Sequence, residues 1–294
     1  MTDSIFLNRI NSGEILVADG ATGTTLFARG MQRGATSETW VMEQPDEIIQ
    51  LHKDFIAAGA DIILTSTFGG TSIRLRNSTL EGHAVTVNQR AVSLARQAAE
   101  GTQTLVAGSL GPVGQLLKPY GPLETDDVIT AYTEQAQAIT QAGADLLVIE
   151  TQFDMNEVKA AIQGIRSVSN LPLVVSLSYD RGERTMMGVS PSQAGKELDT
   201  LPVDVIGVNC GRSLYENLHN LVELREVTSK PIWFKPNAGL PRVDAQGATV
   251  YDTTPDMMGS QVQAWITSGA QIVGGCCGTS PDYLRKISEK AKNH

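Results

Sequence analysis

The stretch AGADIILTSTF, residues 58–68, recurs along the chain as AGADLLVIETQ at 142–152 and as SGAQIVGGCCG at 268–278. Each copy opens on small residues and a glycine, as a helix C-terminus does, and runs straight into a short block of Val, Ile and Leu. Five further blocks keep the same rhythm: EILVADG (14–20), TLVAGSLG (104–111), PLVVSLSY (172–179), VDVIGVNCG (203–211) and PIWFKPNAG (231–239). Near-continuous apolar runs, as opposed to alternating ones, mark parallel strands covered on both faces. Helical patterns lie between them. In DMNEVKAAIQGIRSV (154–168), Val158, Ile162 and Ile165 fall at helical spacing, and Asp154 with Glu157 predicts a capping box. Eight strand–helix units in 294 residues predict a TIM (β/α)8 barrel, a single domain over residues 1–294. An open doubly wound sheet uses the same alternation, but its usual dinucleotide fingerprint is absent.

Composition narrows the function. A formal net charge of −9 and a pI near 5.0 disfavour nucleic acid and anionic membrane as partners, since both call for a basic face. The N-terminus has an acidic residue at position 3 and lacks the layout of a signal peptide, and no apolar run approaches the ~20 residues of a membrane helix. The expectation is a soluble, cytoplasmic protein. Three cysteines are an odd number, and clustered cysteines in a reducing compartment bind metal or do chemistry more often than they form disulfides. The segment GVSPSQAGKE (188–197) has neither the spacing nor the final residue of a P-loop, so Lys196 is read as a solvated helix residue.

In a barrel of this kind the active site lies where the strands end. The residues at those ends include Asp19, Gly20, Ala21, Thr67, Ser109, Glu150, Asn209 and Lys235, together with every cysteine: Cys210 ends the sixth strand and Cys276–Cys277 the eighth. Alternate strands contribute to one layer, so Cys210 can face the pair across the mouth. Neighbouring residues on a regular strand point to opposite faces, so both members of the pair reach one metal only where the strand ends. Gly274, Gly275 and Gly278 supply the backbone freedom for that. Three thiolates with a vacant fourth position suit a catalytic Zn2+. Thiolate ligands make such a zinc a poor activator of water but leave a zinc-bound thiol nucleophilic, which is the chemistry of thiol alkylation. Buried free cysteines that merely fill the core are the plainer alternative. His52, His83, His219 and His294 all fall in predicted helices or at the terminus, away from the strand ends. Asp19 and Glu150 each follow an apolar strand, where a carboxylate needs a cation or the solvent of the mouth; Glu150 as a simple helix cap is the alternative.

The order of motifs resembles the homocysteine S-methyltransferase family over nearly the whole chain: VADGATGT (17–24), TSTF (65–68), GSLGPVG (108–114), VIET (148–151), GVNCG (207–211), PNAGLP (236–241) and GGCCGTSPDYL (274–284). GPVGQLLKPYG (111–121) and PNAGLP are most similar to the homocysteine module of cobalamin-dependent methionine synthase. The resemblance implies that Cys210, Cys276 and Cys277 bind zinc and that the zinc binds the homocysteine sulfur. It implies that Asp19 and Glu150 hold the substrate's ammonium and that backbone N–H groups around Gly20 and Ala21 receive its carboxylate. Thr67, Ser109 and Asn209 complete the expected substrate pocket.

The chain departs from the usual family wording at Ala21–Thr22 and at Ser66, where TNTF is common, both beside the expected amino-acid pocket. The folate, cobalamin and reactivation modules of full-length methionine synthase do not appear in this sequence. The expected methyl donor is therefore a separate methylated corrinoid protein docking on the loops GQLLKPYGP and NAGLPRVDAQG, with Leu116, Leu117 and Tyr120 at the rim. S-methylmethionine, S-adenosylmethionine or a betaine are the small-molecule alternatives, and a non-catalytic thiol-binding subunit is the alternative of a different class.

Overall fold

The computed structural model describes residues 4–32, 34–243 and 249–293. Among the described residues there are ten strands: β1 (Leu16–Val17), β2 (Ile62–Leu64), β3 (Leu105–Leu110), β4 (Leu146–Gln152), β5 (Leu173–Leu177), β6 (Val205–Cys210), β7 (Ile232–Pro236), β8 (Pro241–Val243), β9 (Thr249–Tyr251) and β10 (Ala270–Val273). The helices are α1 (Ile5–Asn11), α2 (Thr22–Ala28), α3 (Ser37–Glu43), α4 (Pro45–Ala57), α5 (Ala84–Ala99), α6 (Thr125–Gln141), α7 (Met155–Arg166), α8 (Pro191–Asp199), α9 (Leu214–Arg225), α10 (Pro255–Thr267) and α11 (Pro281–Ala291).

Eight strands pair in parallel in the order β1-β10-β7-β6-β5-β4-β3-β2. The sheet closes between β1 and β2 through a parallel bridge from Ala18 to Ile62 and the bond from the Asp19 N–H to the Ile62 carbonyl, 2.9 Å. Closure excludes the open doubly wound sheet and gives the TIM barrel that the repeat predicts. The repeated phrase has a local cause. Gly59, Gly143 and Gly269 end their helices with φ of +102°, +91° and +103°, a conformation that stops the helix and turns the chain into the next strand. In two copies the aspartate that follows stitches the barrel floor: Asp61 accepts the Val17 N–H at 2.9 Å and Asp145 the Val106 N–H at 2.7 Å.

Strand alternation divides the core in two. Leu16, Ala18, Ile62, Leu64, Leu105, Ala107, Leu146, Val148, Val174, Val205, Trp233 and Ile272 fill the barrel interior, closed below by Phe6 and Ile10 of α1. Their neighbours, such as Ile63, Val106, Leu147, Val175 and Phe234, pack outward against the helices. No helix among the described residues is long and apolar enough to cross a membrane.

Two local expectations change. Asp154 does cap α7, accepting the Asn156 N–H at 2.8 Å, but no capping box forms there. Glu157 instead accepts from the Val113 N–H and the Tyr132 hydroxyl, at 2.7 and 2.8 Å, because it is buried where the β3–α6 loop meets α6. The stretch after β7, read as loop, carries the antiparallel β8–β9 hairpin; residues 244–247 of NAGLPRVDAQG lie outside the described residues, as do position 3 and His294.

His52, on α4, is fully buried, and neither ring nitrogen has a hydrogen-bond partner among the described residues. Burial lowers its pKa from 6.5 to about 4. The unfolded chain therefore takes up more protons between those values. Stability is intact above about pH 6.5 and falls by roughly 3 kcal/mol as the pH drops through 4. Denaturant unfolding at pH 7 and pH 4 is expected to show this loss, and His52→Leu to remove most of it; an unchanged pH dependence in that variant would assign the acid lability to other groups.

Candidate active site

At the C-terminal ends of the strands lies a cavity of about 440 Å3, and its wall includes Asp19, Glu150, Lys235 and all three cysteines. Alternation explains most of this. The parity that puts Leu105, Leu146, Val205, Trp233 and Ile272 inside the barrel also carries Ser109, Glu150, Asn209, Lys235 and, past the end of β10, Cys276 towards the mouth.

Cys210 and Thr151 have the opposite parity and would face the helices. Each adopts a left-handed backbone, with φ of +61° and +60°, and both end on the cavity wall. For a non-glycine residue that conformation costs about 1–3 kcal/mol and persists only where the surroundings fix it. Asn209 does so for Thr151: its Oδ1 accepts the Thr151 N–H at 2.9 Å and its Nδ2 donates to Thr151 Oγ1 at 2.7 Å. Asn217 Nδ2 donates to the Cys210 carbonyl at 2.8 Å, and the Asn237 N–H donates to the same oxygen at 3.1 Å.

The cysteine pair is set by bonds to β7 and its following turn. The Cys276 N–H donates to the Pro236 carbonyl at 2.9 Å, and the Cys277 N–H to Asn237 Oδ1 at 2.8 Å. Of the glycines expected to free the strand end, only Gly278 takes a positive φ, +83°. Gly274 and Gly275 serve close approach instead, since a Cβ would lie 2.6 Å from the Ala18 carbonyl and 2.4 Å from Thr279 Oγ1 respectively.

The three Sγ atoms lie within 4.8 Å of one another, and those of Cys210 and Cys276 are 3.1 Å apart as free thiols. Such crowding allows one thiolate easily and further ones only with a cation. Hydrogen bonds from Cys210 and Cys276 pull the Cys277 pKa down to about 4. Cys276 is pushed up to about 12, its hydrogen bond with Cys210 outweighed by that with Cys277 and by burial. Three soft donors on the wall of an open cavity fit a thiophilic divalent metal with one position left for a ligand.

Asp19 is buried and both its oxygens are engaged: Oδ2 accepts the Leu64 N–H at 2.8 Å and Oδ1 accepts from Lys235 Nζ at 2.7 Å. Burial works against the Lys235 charge, but Asp19 and Glu150 outweigh it and raise its pKa. Glu150 accepts from Ser109 Oγ at 2.5 Å, and burial pushes its pKa up to about 7 against the pull of Lys235.

Of the expected pocket residues, Asp19, Gly20, Ala21, Ser109 and Glu150 line the cavity. Thr67 and Asn209 do not. Thr67 Oγ1 donates to the Ser109 carbonyl at 2.7 Å, and Asn209 Oδ1 accepts from Ser176 Oγ at 2.7 Å, so both side chains fasten strand ends together. The Ala21 N–H, expected to face a carboxylate, donates to the Thr279 carbonyl at 2.9 Å. Sequence reasoning named Lys235 only as a strand-end residue and Ser66 as a neighbour of the expected pocket; both line the cavity. A lone lysine closing an apolar strand at inward parity was the available signal. Tyr251, brought in by the β8–β9 hairpin, was missed altogether; burial and then the charges of Cys277, Cys276 and Cys210 raise its pKa to about 12. Its ring packs so closely on Gly278 that a Cβ there would meet it at 2.6 Å.

Fold and site together define a (β/α)8 barrel that gathers three thiols, two carboxylates and a lysine at its catalytic end. The chain belongs to the homocysteine S-methyltransferase family, whose family model matches residues 16–291. It is 32% identical over 293 residues to a methionine synthase of Mycobacterium leprae, covering 93% of this chain and 24% of that protein. The methionine synthase of Mycobacterium tuberculosis is 30% identical over 299 residues, covering 96% and 25%. The chain thus spans about a quarter of the length of these curated relatives. Among solved structures, the metallated form of the homocysteine methyltransferase MmuM from Escherichia coli superposes with a TM-score of 0.82 at 25% identity, covering 96% of this chain and 98% of that one. Its apo form gives 0.75 at 26% identity, covering 96% and 97%.

Proposed function

We propose that this protein transfers a methyl group to the sulfur of homocysteine, forming methionine, with a zinc ion held by Cys210, Cys276 and Cys277. The observation that carries this reading is the convergence of the three Sγ atoms on the wall of a cavity that also holds the carboxylate of Glu150. Held by Cys210, Cys276 and Cys277, such a zinc would lower the pKa of an acceptor thiol in its remaining position and leave that sulfur nucleophilic. The chain's own residues do the rest. Asn209 and Asn217 hold the turned backbones of Thr151 and Cys210, Asn237 accepts the Cys277 N–H, and Glu150 offers its carboxylate to the acceptor's ammonium. The acceptor sulfur then bonds to the methyl carbon as the donor–methyl bond breaks and its electron pair leaves with the donor. Positioning the two reactants in line lowers the barrier by turning a two-body encounter into a step within one complex.

A carboxyl that titrates near 7 makes acceptor binding pH-dependent. Affinity for the ammonium is present above that value and falls as the pH drops through it. Glu150→Gln is expected to weaken homocysteine binding by about 1.5–3 kcal/mol at pH 8 and to flatten the dependence below it. Calorimetry at pH 8 and pH 6 checks both; an unaltered affinity would make Glu150 structural.

The donor that the surface favours is a methylated corrinoid protein. Exposed large apolar side chains include Phe27, which lines the cavity, and Tyr120, Met186 and Leu240, on the loops that follow β3, β5 and β7. Exposed apolar groups on the loops after the strands suit a macromolecular partner. Leu117, expected at this rim, is buried and belongs to the core, and Leu116 is half-buried; Tyr120, 71% exposed, is the contact residue of that loop. Tyr120→Ala is expected to raise the KM for the methylated partner several-fold and leave homocysteine binding unchanged, the mark of lost uniform binding. The deciding measurement offers homocysteine and zinc-loaded protein a methylated corrinoid protein, S-methylmethionine, S-adenosylmethionine or betaine in turn. Turnover with a small donor at about 1 per second or faster would replace the protein donor. No turnover with any of them would favour a thiol-binding subunit.

A further inference from the structure

The resemblance gives Asp19 and Glu150 jointly to the acceptor's ammonium. The charges on the cavity wall are arranged differently. Both Asp19 oxygens are engaged, one by the Leu64 N–H and one by Lys235 Nζ, so the cation that Asp19 faces is the protein's own. Lys235 is fixed from several sides: its side chain is 4% exposed, it is 2.7 Å from Asp19, and Nζ stands 5.7 Å from the centre of the Trp233 ring beneath it. An ammonium carries three donors. Among the described residues, Asp19 is the one hydrogen-bond acceptor for this one.

Ser66 adds a second open group. Its hydroxyl is buried on the same cavity wall and has no hydrogen-bond partner among the described residues. A buried donor left unpaired costs stability unless a ligand meets it, and the Ser66 hydroxyl together with the Lys235 N–H donors that Asp19 does not take suits an acceptor with more than one oxygen. A second ammonium would be repelled by Lys235. A carboxylate satisfies both.

We propose that Lys235, held in place by Asp19, and Ser66 receive the carboxylate of the acceptor thiol, leaving its ammonium to Glu150 alone. This rests on the thiol-acceptor reading above and names the recognition within that site. Lys235 is then a specificity-determining residue: the site selects a thiol by its carboxylate first and by its ammonium second.

Three thiols of similar length separate the two ends: L-homocysteine, 4-mercaptobutanoate, which lacks the ammonium, and 3-aminopropane-1-thiol, which lacks the carboxylate. With zinc-loaded protein and calorimetry, losing the carboxylate is expected to cost about tenfold or more in affinity and losing the ammonium distinctly less. Lys235→Met is expected to weaken homocysteine and 4-mercaptobutanoate by a similar factor, roughly ten- to a hundredfold, and to leave 3-aminopropane-1-thiol within about threefold. Lys235→Arg keeps the preference for the carboxylate, and Ser66→Ala loses a smaller part of it. Because Lys235→Met leaves Asp19 unpaired, Asp19→Asn/Lys235→Met is measured beside it; this neutral pair retains the fold and shows the same loss. If Lys235→Met and the double variant weaken 3-aminopropane-1-thiol as much as homocysteine, or leave homocysteine unchanged, the assignment is wrong. Equal binding of all three thiols by the unaltered protein overturns this inference but not the thiol-acceptor reading. Failure of all three to bind overturns both.

Discussion

Cys210→Ala, Cys276→Ala and Cys277→Ala are each expected to release the metal and abolish methyl transfer while the barrel stays folded. Zinc held by about four protein ligands gains roughly 10–16 kcal/mol, so one thiolate of three is worth about 3 kcal/mol or more, beyond a hundredfold in affinity. The fold does not depend on it. All three cysteines are only partly buried, outside the two apolar layers that form the core, and their backbones are held by Pro236, Asn237 and Asn217 irrespective of the side chain. Elemental analysis after dialysis, with circular dichroism on the same samples, decides the matter. Full metal content in any two of the single variants would remove the cysteines as ligands.

The second large effect concerns stability. Asp19→Asn is expected to destabilise the metal-free protein by about 3–5 kcal/mol, because it strands the buried Lys235 charge 2.7 Å from a neutral amide. Lys235→Met strands the Asp19 carboxylate in the same way. Asp19→Asn/Lys235→Met removes both charges, and most of the loss should return, since a buried ion pair contributes little net stability once its desolvation is counted. Urea unfolding of the four proteins completes the double-mutant cycle. Additive losses across the cycle would show that the two side chains act independently, against the geometry described here.

The two variants differ in what the sequence foretold of them. Cys210, Cys276 and Cys277 could be grouped from the chain alone, because the repeated helix-to-strand phrase counts out eight strands and places each cysteine where one ends. The interior parity of each strand is equally local: alternation from Leu146 leads to Glu150, and from Trp233 to Lys235, with no knowledge of what lies opposite. Composition and motif order went as far as the family.

Tertiary structure alone decided which of those strand-end groups meet. Asp19 and Lys235 are 216 residues apart and pair because barrel closure brings β1 and β7 to either side of β10, a matter of strand order that neither local sequence contains. The same holds for Thr67 and Asn209, whose polar side chains bond to neighbouring strands and so leave the cavity to Ser66, Thr151 and Lys235. Cys210 is the sharpest case. Its parity points it at the helices, and only a left-handed φ of +61°, held by bonds from Asn217 and Asn237 to its carbonyl, turns its sulfur towards Cys276. Such a conformation is unfavourable for an isolated chain and exists where surrounding contacts impose it, which is why Cys210 could be grouped with the pair from the sequence but the backbone turn that brings its sulfur there could not be read from it.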